Sequence, residues 1–231
     1  LLLILYITTP ASLSNKSKQF KFPKDFKWCV ATSAHQIEGN NKNSDWWQWE
    51  HQHPSKIKNN DKSGKACDHW NKLQEDTHIL STMGVSWYRF SIEWAKIEPE
   101  EGQWNNNAIE HYQQEIKLLL EANITPIVTL QHFTLPNWLS KKGGWSSKDS
   151  VHYFEKFVTH IATKLGKHIN YWITLNEPLL VIAGGYIKGI MPPGKENLTD
   201  MINPIRHMLL AHAASYNIIH AIAKNNKQEA Q

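Results

Sequence analysis

Cysteine is scarce in this chain of 231 residues: only Cys29 and Cys67 occur. Two thiols cannot build a disulfide framework, and their spacing lacks the paired pattern of a zinc site. Two buried free thiols in a reducing, cytoplasmic compartment are therefore expected. Arginine is scarcer still within its class, with Arg89 and Arg206 standing against many lysines. No sign of charge dominates, since the formal net charge of +4 comes from scattered lysines. Nucleic acid or an anionic membrane would need a clustered basic face. The nearest candidate, Lys16 to Lys27, is broken by Phe20, Phe22 and Phe26 and reads as a solvated approach to a strand. No phosphate-cradling glycine loop is present, because neither Gly143-Gly144 nor Gly184-Gly185 has the spacing or the strand-to-helix context. The opening apolar run Leu1 to Ile7 falls far short of the roughly 20 residues that cross a bilayer. Residues 1–21 read as a leader or disordered extension; a signal cleaved between Thr9 and Ser14, and hence export, is the alternative.

What is present is the make-up of a globular α/β protein, 41% apolar with mixed charges. From residue 22 onward, short β-rich runs alternate with amphipathic stretches, which predicts a parallel sheet with crossover helices. The strands are expected at Lys27–Ala31, Val85–Ser91, Thr125–Gln131 and Tyr171–Leu175, each dense in aromatic and β-branched residues, as doubly buried strands are. Helices are expected at His69–Met83, with Trp70, Leu73, Ile79 and Leu80 on one face and Gly84 as a left-handed cap, and at Ala108–Ala122 and Ser150–Leu165. The polar stretches Asn40–Lys65 and Pro136–Lys148 read as long βα loops, and the tail after Lys224 as frayed. Residues 22–231 are read as one domain.

In a parallel barrel, reactive groups gather where the strands end and the βα loops converge. Those ends carry Gln36, Arg89 and Glu93, His132, and Asn176-Glu177. Glu177 precedes Pro178, which predicts an extended backbone at Glu177 and a side chain in the barrel mouth. A carboxyl there, partly desolvated by aromatics, would hold its proton as a general acid must. An ordinary acidic strand end is the plainer reading. Asn176 suits a sugar hydroxyl or a turn. Arg89 offers a bidentate fork for a carboxylate, or a structural ion pair with Glu93. Glu93 is a second carboxylate for which an Arg or Lys partner is expected. Gln36 and His132 can hydrogen-bond adjacent hydroxyls of one pyranose. His35, His69, His207 and His212 are read as structural, and no pair has metal-ligand spacing. The eleven tryptophans offer stacking platforms for sugars, though most are assigned to the core.

These residues resemble glycoside hydrolase family 1, the β-glucosidase family, nearly continuously from Phe22 to about Ala223. Phe22-Pro-Lys-Asp-Phe-Lys-Trp and Ala31-Thr-Ser-Ala-His-Gln-Ile-Glu-Gly39 look like its opening strand and sugar-binding signature. Met83-Gly-Val-Ser-Trp-Tyr-Arg-Phe-Ser91, Gln131-His132-Phe133 and Thr174-Leu-Asn-Glu-Pro178 look like its next three units. The resemblance implies a (β/α)8 TIM barrel, truncated here to roughly its first four to five βα units. It implies a retaining β-glycosidase acting on terminal β-linked sugars, with Glu177 as acid/base, Arg89 supporting the nucleophile, and Gln36, His132 and Asn176 binding sugar. Neither metal nor cofactor is implied, and the partner is a β-glycoside or small oligosaccharide. Phe133, His35 and Glu93-Trp94-Ala95-Lys96 depart from the usual Trp, Tyr and Ser-Trp-Pro-Arg.

The family's nucleophile lies in an Ile/Val-Thr-Glu-Asn-Gly motif, and this chain contains none. The chain alone is therefore expected to be inactive and to aggregate, dimerise or stay partly molten along an unpaired sheet edge. Its oligomeric state and its choice between glucoside, galactoside and 6-phosphoglycoside stay open. A non-catalytic sugar-binding barrel of the same family is the principal rival. An aldolase-like barrel is disfavoured, because no lysine falls at a predicted strand end.

Overall fold

The computed structural model describes residues 21–227 and 230–231. Apart from Lys21, the expected leader lies outside the described residues. Four strands form one sheet in the order β1-β2-β3-β4: β1 (Cys29–Ala31), β2 (Trp87–Ser91), β3 (Thr125–Gln131) and β4 (Tyr171–Leu175). Every pairing is parallel, with Ala31 opposite Arg89, Ser91 opposite Thr129 and Gln131 opposite Leu175. Sequential parallel neighbours joined through helices are the βα repeat of a barrel. The helices, in chain order, are α1 (Ala34–Ile37), α2 (Asp45–His51), α3 (Leu73–Thr82), α4 (Trp94–Ile97) and α5 (Asn106–Glu121). They continue as α6 (Asn137–Lys141), α7 (Ser150–Leu165), α8 (Pro178–Ile182) and α9 (Ile202–Asn225). Among the described residues, no helix is long and apolar enough to cross a membrane.

Alternation along the strands separates two faces. Tyr88, Phe90, Val128 and Leu130 are buried against Ile109, Tyr112 and Ile116 of α5 and Phe154, Phe157 and Ile161 of α7. Trp87, Arg89, Ile127 and the whole of β4 are only half-buried. The expectation of strands buried on both faces therefore fails for β1 and β4, which lie at the two ends of the sheet with one side unpaired over most of their length. The exception is Gln231. Its N–H donates to Asn170 O at 2.7 Å and its carbonyl accepts from Trp172 N at 2.9 Å. That pair of bonds sets Gln231 in parallel beside Tyr171 at the start of β4.

Several local expectations change. α3 starts at Leu73, not His69, because Asp68 is left-handed (φ 58°) and residues His69–Asn71 form a separate 3₁₀ turn. Ile79 faces solvent, 48% exposed, instead of the core. Gly84 does take the left-handed conformation (φ 72°) that stops α3. Both cysteines are free and exposed, not buried, since Cys29 lies on the edge strand and Cys67 in the turn before α3. The tail after Lys224 leaves the helix at Asn225, and residues 228–229 lie outside the described residues. Before β1, the rings of Phe22, Phe26 and Trp28 meet in tilted and edge-on contacts, with centroids 4.6–4.9 Å apart, while remaining exposed.

Candidate active site

The polar residues at the strand ends are joined across three strands. Arg89, half-buried on β2, donates from Nε to Thr129 Oγ1 on β3 at 2.9 Å. Its Nη2 donates to Asn176 Oδ1 just beyond β4. With its oxygen so engaged, Asn176 turns Nδ2 toward His132 Nε2, 3.3 Å away at the end of β3. Asn176 is 6% exposed, and its backbone N–H continues the ladder to Gln131 O. Arg89, Asn176 and His132 thus form one hydrogen-bonded chain on the face of the sheet opposite the helices.

Charge follows from this packing. Burial lowers the His132 pKa to about 4, and the nearby Arg89 guanidinium pushes it the same way. The ring is therefore neutral in the physiological range, with a lone pair to meet the Asn176 donor. His132 Nδ1 is buried and has no hydrogen-bond partner. Burial also lowers the Arg89 pKa, while the Glu177 carboxylate opposes the shift, which puts Glu177 within electrostatic reach of the guanidinium. Arg89 stays charged throughout.

Glu177 departs from expectation in two ways. Its backbone is left-handed (φ 44°, ψ 56°), not extended, although Pro178 follows it. The reason is the immediate start of α8: Glu177 is the cap residue, and its carbonyl accepts from Leu180 N and Val181 N. The chain passes from strand to helix within two residues, Asn176 and Glu177, and the positive φ at Glu177 makes that reversal. The side chain is exposed, not partly desolvated, because the β4 side of the strand ends is open. Gln36 is also exposed, on α1, where its Oε1 accepts from Ser33 Oγ at 2.7 Å. It belongs to the same rim, since α1 is tied to the end of β2 by Ala34 N donating to Ser91 Oγ at 2.8 Å. No hydrogen bond joins Gln36 to the Arg89–Asn176–His132 chain.

Glu93 has neither the Arg nor the Lys partner expected of it. It is 1% exposed and accepts from Asn41 Nδ2 at 2.7 Å, from Thr134 Oγ1 at 3.0 Å and from Ala95 N at 3.1 Å. Burial raises its pKa to about 7, helped by the neighbouring Glu38. The ion pair that sequence logic sought is made one residue set away, where Lys96 Nζ meets Glu38 Oε2 at 2.9 Å. Arg89, the other partner considered, is committed to Thr129 and Asn176. Thr129, which fixes the guanidinium, was missed in the sequence; its signal was its place in the strand beside Arg89, two residues before the strand end.

The histidines read as structural are accounted for by local bonds. His69 lies between Asp76 Oδ2 (2.5 Å) and Glu115 Oε1 (3.3 Å), His207 bonds Trp145 O at 2.8 Å, and His212 meets Thr174 Oγ1 at 2.7 Å. His35 accepts a 3.2 Å contact from Asn41. An apolar cavity of about 430 Å³ lies away from the strand-end residues, running along the edge of β4 beneath α9 and lined by Thr174, Leu179, Met208, His212 and Tyr216.

With this geometry in place, similarity to known proteins becomes informative. The Glycosyl hydrolase family 1 model matches residues 18–230. The 1,4-beta-D-glucan glucohydrolase of Thermotoga neapolitana is 37% identical over 213 residues, 90% of this chain and 50% of that protein. Beta-glucosidase A of Thermotoga maritima is 37% identical over 90% of this chain and 48% of its own length. A solved structure of the Thermotoga maritima beta-glucosidase, in complex with methoxycarbonyl-substituted glucoimidazole, superposes with a TM-score of 0.85 over 88% of this chain and 48% of that one. The chain therefore spans about half the length of these relatives, and its four-stranded parallel sheet corresponds to part of their barrel.

Proposed function

This chain belongs to glycosyl hydrolase family 1, and from that premise we propose that the protein is a retaining β-glycosidase in which Glu177 protonates the leaving oxygen. The observation that carries the reading is the chain from Arg89 through Asn176 to His132, with Glu177 adjacent to Asn176 and held at the turn from β4 into α8. In this reading Asn176 offers its second amide hydrogen to a sugar hydroxyl, the neutral His132 ring shares its Nε2 between Asn176 and a neighbouring hydroxyl, and Gln36 contributes from the rim. Arg89 supports a carboxylate nucleophile about 5–5.5 Å from Glu177, the separation that retention requires. Glu93 does not serve as that nucleophile, because both its oxygens are engaged in the interior. The reading takes the nucleophile from polypeptide outside these 231 residues. Glu177 then switches to base and activates water. The substrate class is a β-glucoside, the class named by the relatives.

Glu177→Ala in the full-length enzyme tests it. Hydrolysis of β-glycosides with poor leaving groups should fall by several orders of magnitude, while activated aryl glycosides lose much less. Equal loss on both would remove Glu177 from the acid role.

A further inference from the structure

We propose that Glu93 is the positioning residue that ties the loops after β1, β2 and β3 into one rim, and so holds Gln36 and His132 in place for the sugar. The inference rests on the glycosidase reading above. Its basis is that one buried carboxylate receives donors from all three loops. Asn41 Nδ2 comes from the loop after β1, Ala95 N from Glu93's own loop, and Thr134 Oγ1 from the loop after β3. These donors are themselves buried: Asn41 is 3% exposed, Ala95 0% and Thr134 5%.

Two of the donors, Asn41 and Thr134, are one short step from a residue assigned to the sugar. Asn41 also contacts His35 Nδ1 at 3.2 Å, and His35 immediately precedes Gln36 on α1. Thr134 N donates to His132 O at 2.9 Å across Phe133, whose left-handed backbone (φ 71°) makes that tight turn. Glu93 is in turn fixed from below. Its backbone N–H donates to Tyr112 Oη at 2.9 Å, and that hydroxyl donates to Glu38, the partner of Lys96. Removing the carboxylate would leave three buried donors without their acceptor, and the loops would have to move to satisfy them. Because two of those loops carry Gln36 and His132, the cost would be registered at the sugar.

The test is a double-mutant cycle in the full-length protein, using Thr134→Val and Glu93→Gln, each alone and combined with His132→Ala. If Glu93 acts as proposed, Thr134→Val should lower kcat/KM for an aryl β-glucoside about tenfold in the wild-type background and less than about twofold once His132 is alanine, and Glu93→Gln should lose the His132 part of its effect in that background and keep only the part carried through Gln36. Equal losses in both backgrounds overturn the proposal. Hydrogen exchange provides an arm independent of activity. Amides in 36–41 and in 132–135 should exchange faster together in Glu93→Gln, and no change, or change in one segment alone, overturns it. A full-length protein that hydrolyses no β-glycoside would refute the functional reading while leaving exchange to decide this one.

Discussion

Arg89 reaches past β3 to donate to Asn176, so that a residue of the second strand sets the side-chain orientation of one beyond the fourth. The guanidinium does this while its Nε is held by Thr129, and the two bonds leave it little freedom. A lysine ammonium could replace the charge but not the fork, since it offers no planar pair of donors at fixed separation. Arg89→Lys should therefore free the Asn176 amide to rotate away from His132. We expect kcat/KM of the full-length enzyme to fall about a hundredfold, the effect of a small misplacement at the reacting centre, with a near-normal unfolding temperature. Unchanged kinetics would mean that the fork is structural only.

A second prediction concerns His69, which sits between Glu115 and Asp76 with its side chain 5% exposed. Burial alone would lower its pKa, but the two carboxylates outweigh burial and raise it to about 9. Since the folded value lies above the ordinary 6.5, the contribution is complete below about pH 6.5 and is lost as pH rises through about 9. Glu115 is also raised, because burial outweighs the attraction of His69, so its effect on stability has the same sign. Denaturant unfolding should therefore show stability declining between about pH 7 and 9. His69→Ala, which strands two carboxylates, should cost about 3 kcal/mol at pH 6 and flatten that decline. A pH slope that survives the substitution would assign the effect elsewhere.

The sequence was most informative where one physical preference dominated. β3 and β4 begin and end where their β-branched and aromatic runs do, and Gly84 stops α3 because only a residue tolerant of positive φ suits that turn. α9 was not foreseen, because apolar residues occupy both its faces. Met208, Ala211 and Ile219 are buried, yet Leu209, Leu210 and Tyr216 are exposed, which erases the helical period. α2 was hidden in a polar stretch: it is seven residues long, too short for its three tryptophans, Trp46, Trp47 and Trp49, to set a repeating period. In the site, residue types at strand ends were legible, but partners were not. Arg89–Thr129 and Glu93–Thr134 join residues about 40 positions apart, and only strand register brings them together. The backbone at Glu177 was misread because helix entry overrode the preference set by Pro178.

The free edge of β4 supports a third prediction. Beneath α9 it borders an apolar groove of about 430 Å³, flanked by Leu179 at 76% exposure, Leu209 at 63% and Tyr216 at 56%. Gln231 bonds Asn170 and Trp172 at the start of the strand, which leaves this edge of Ile173, Thr174 and Leu175 without a strand partner among the described residues. Unpaired strand backbone beside a contiguous apolar patch is a template for association. A polypeptide of residues 1–231 produced alone should therefore self-associate over the micromolar range in sedimentation velocity and bind a hydrophobic dye. Leu179→Glu with Leu209→Glu, both on solvent-facing positions, should shift it toward monomer without loss of helical circular dichroism, because neither side chain belongs to the buried core. If the unmodified polypeptide sediments as a single monomer at every concentration, the groove and edge are not adhesive and the apolar surface along α9 needs another explanation.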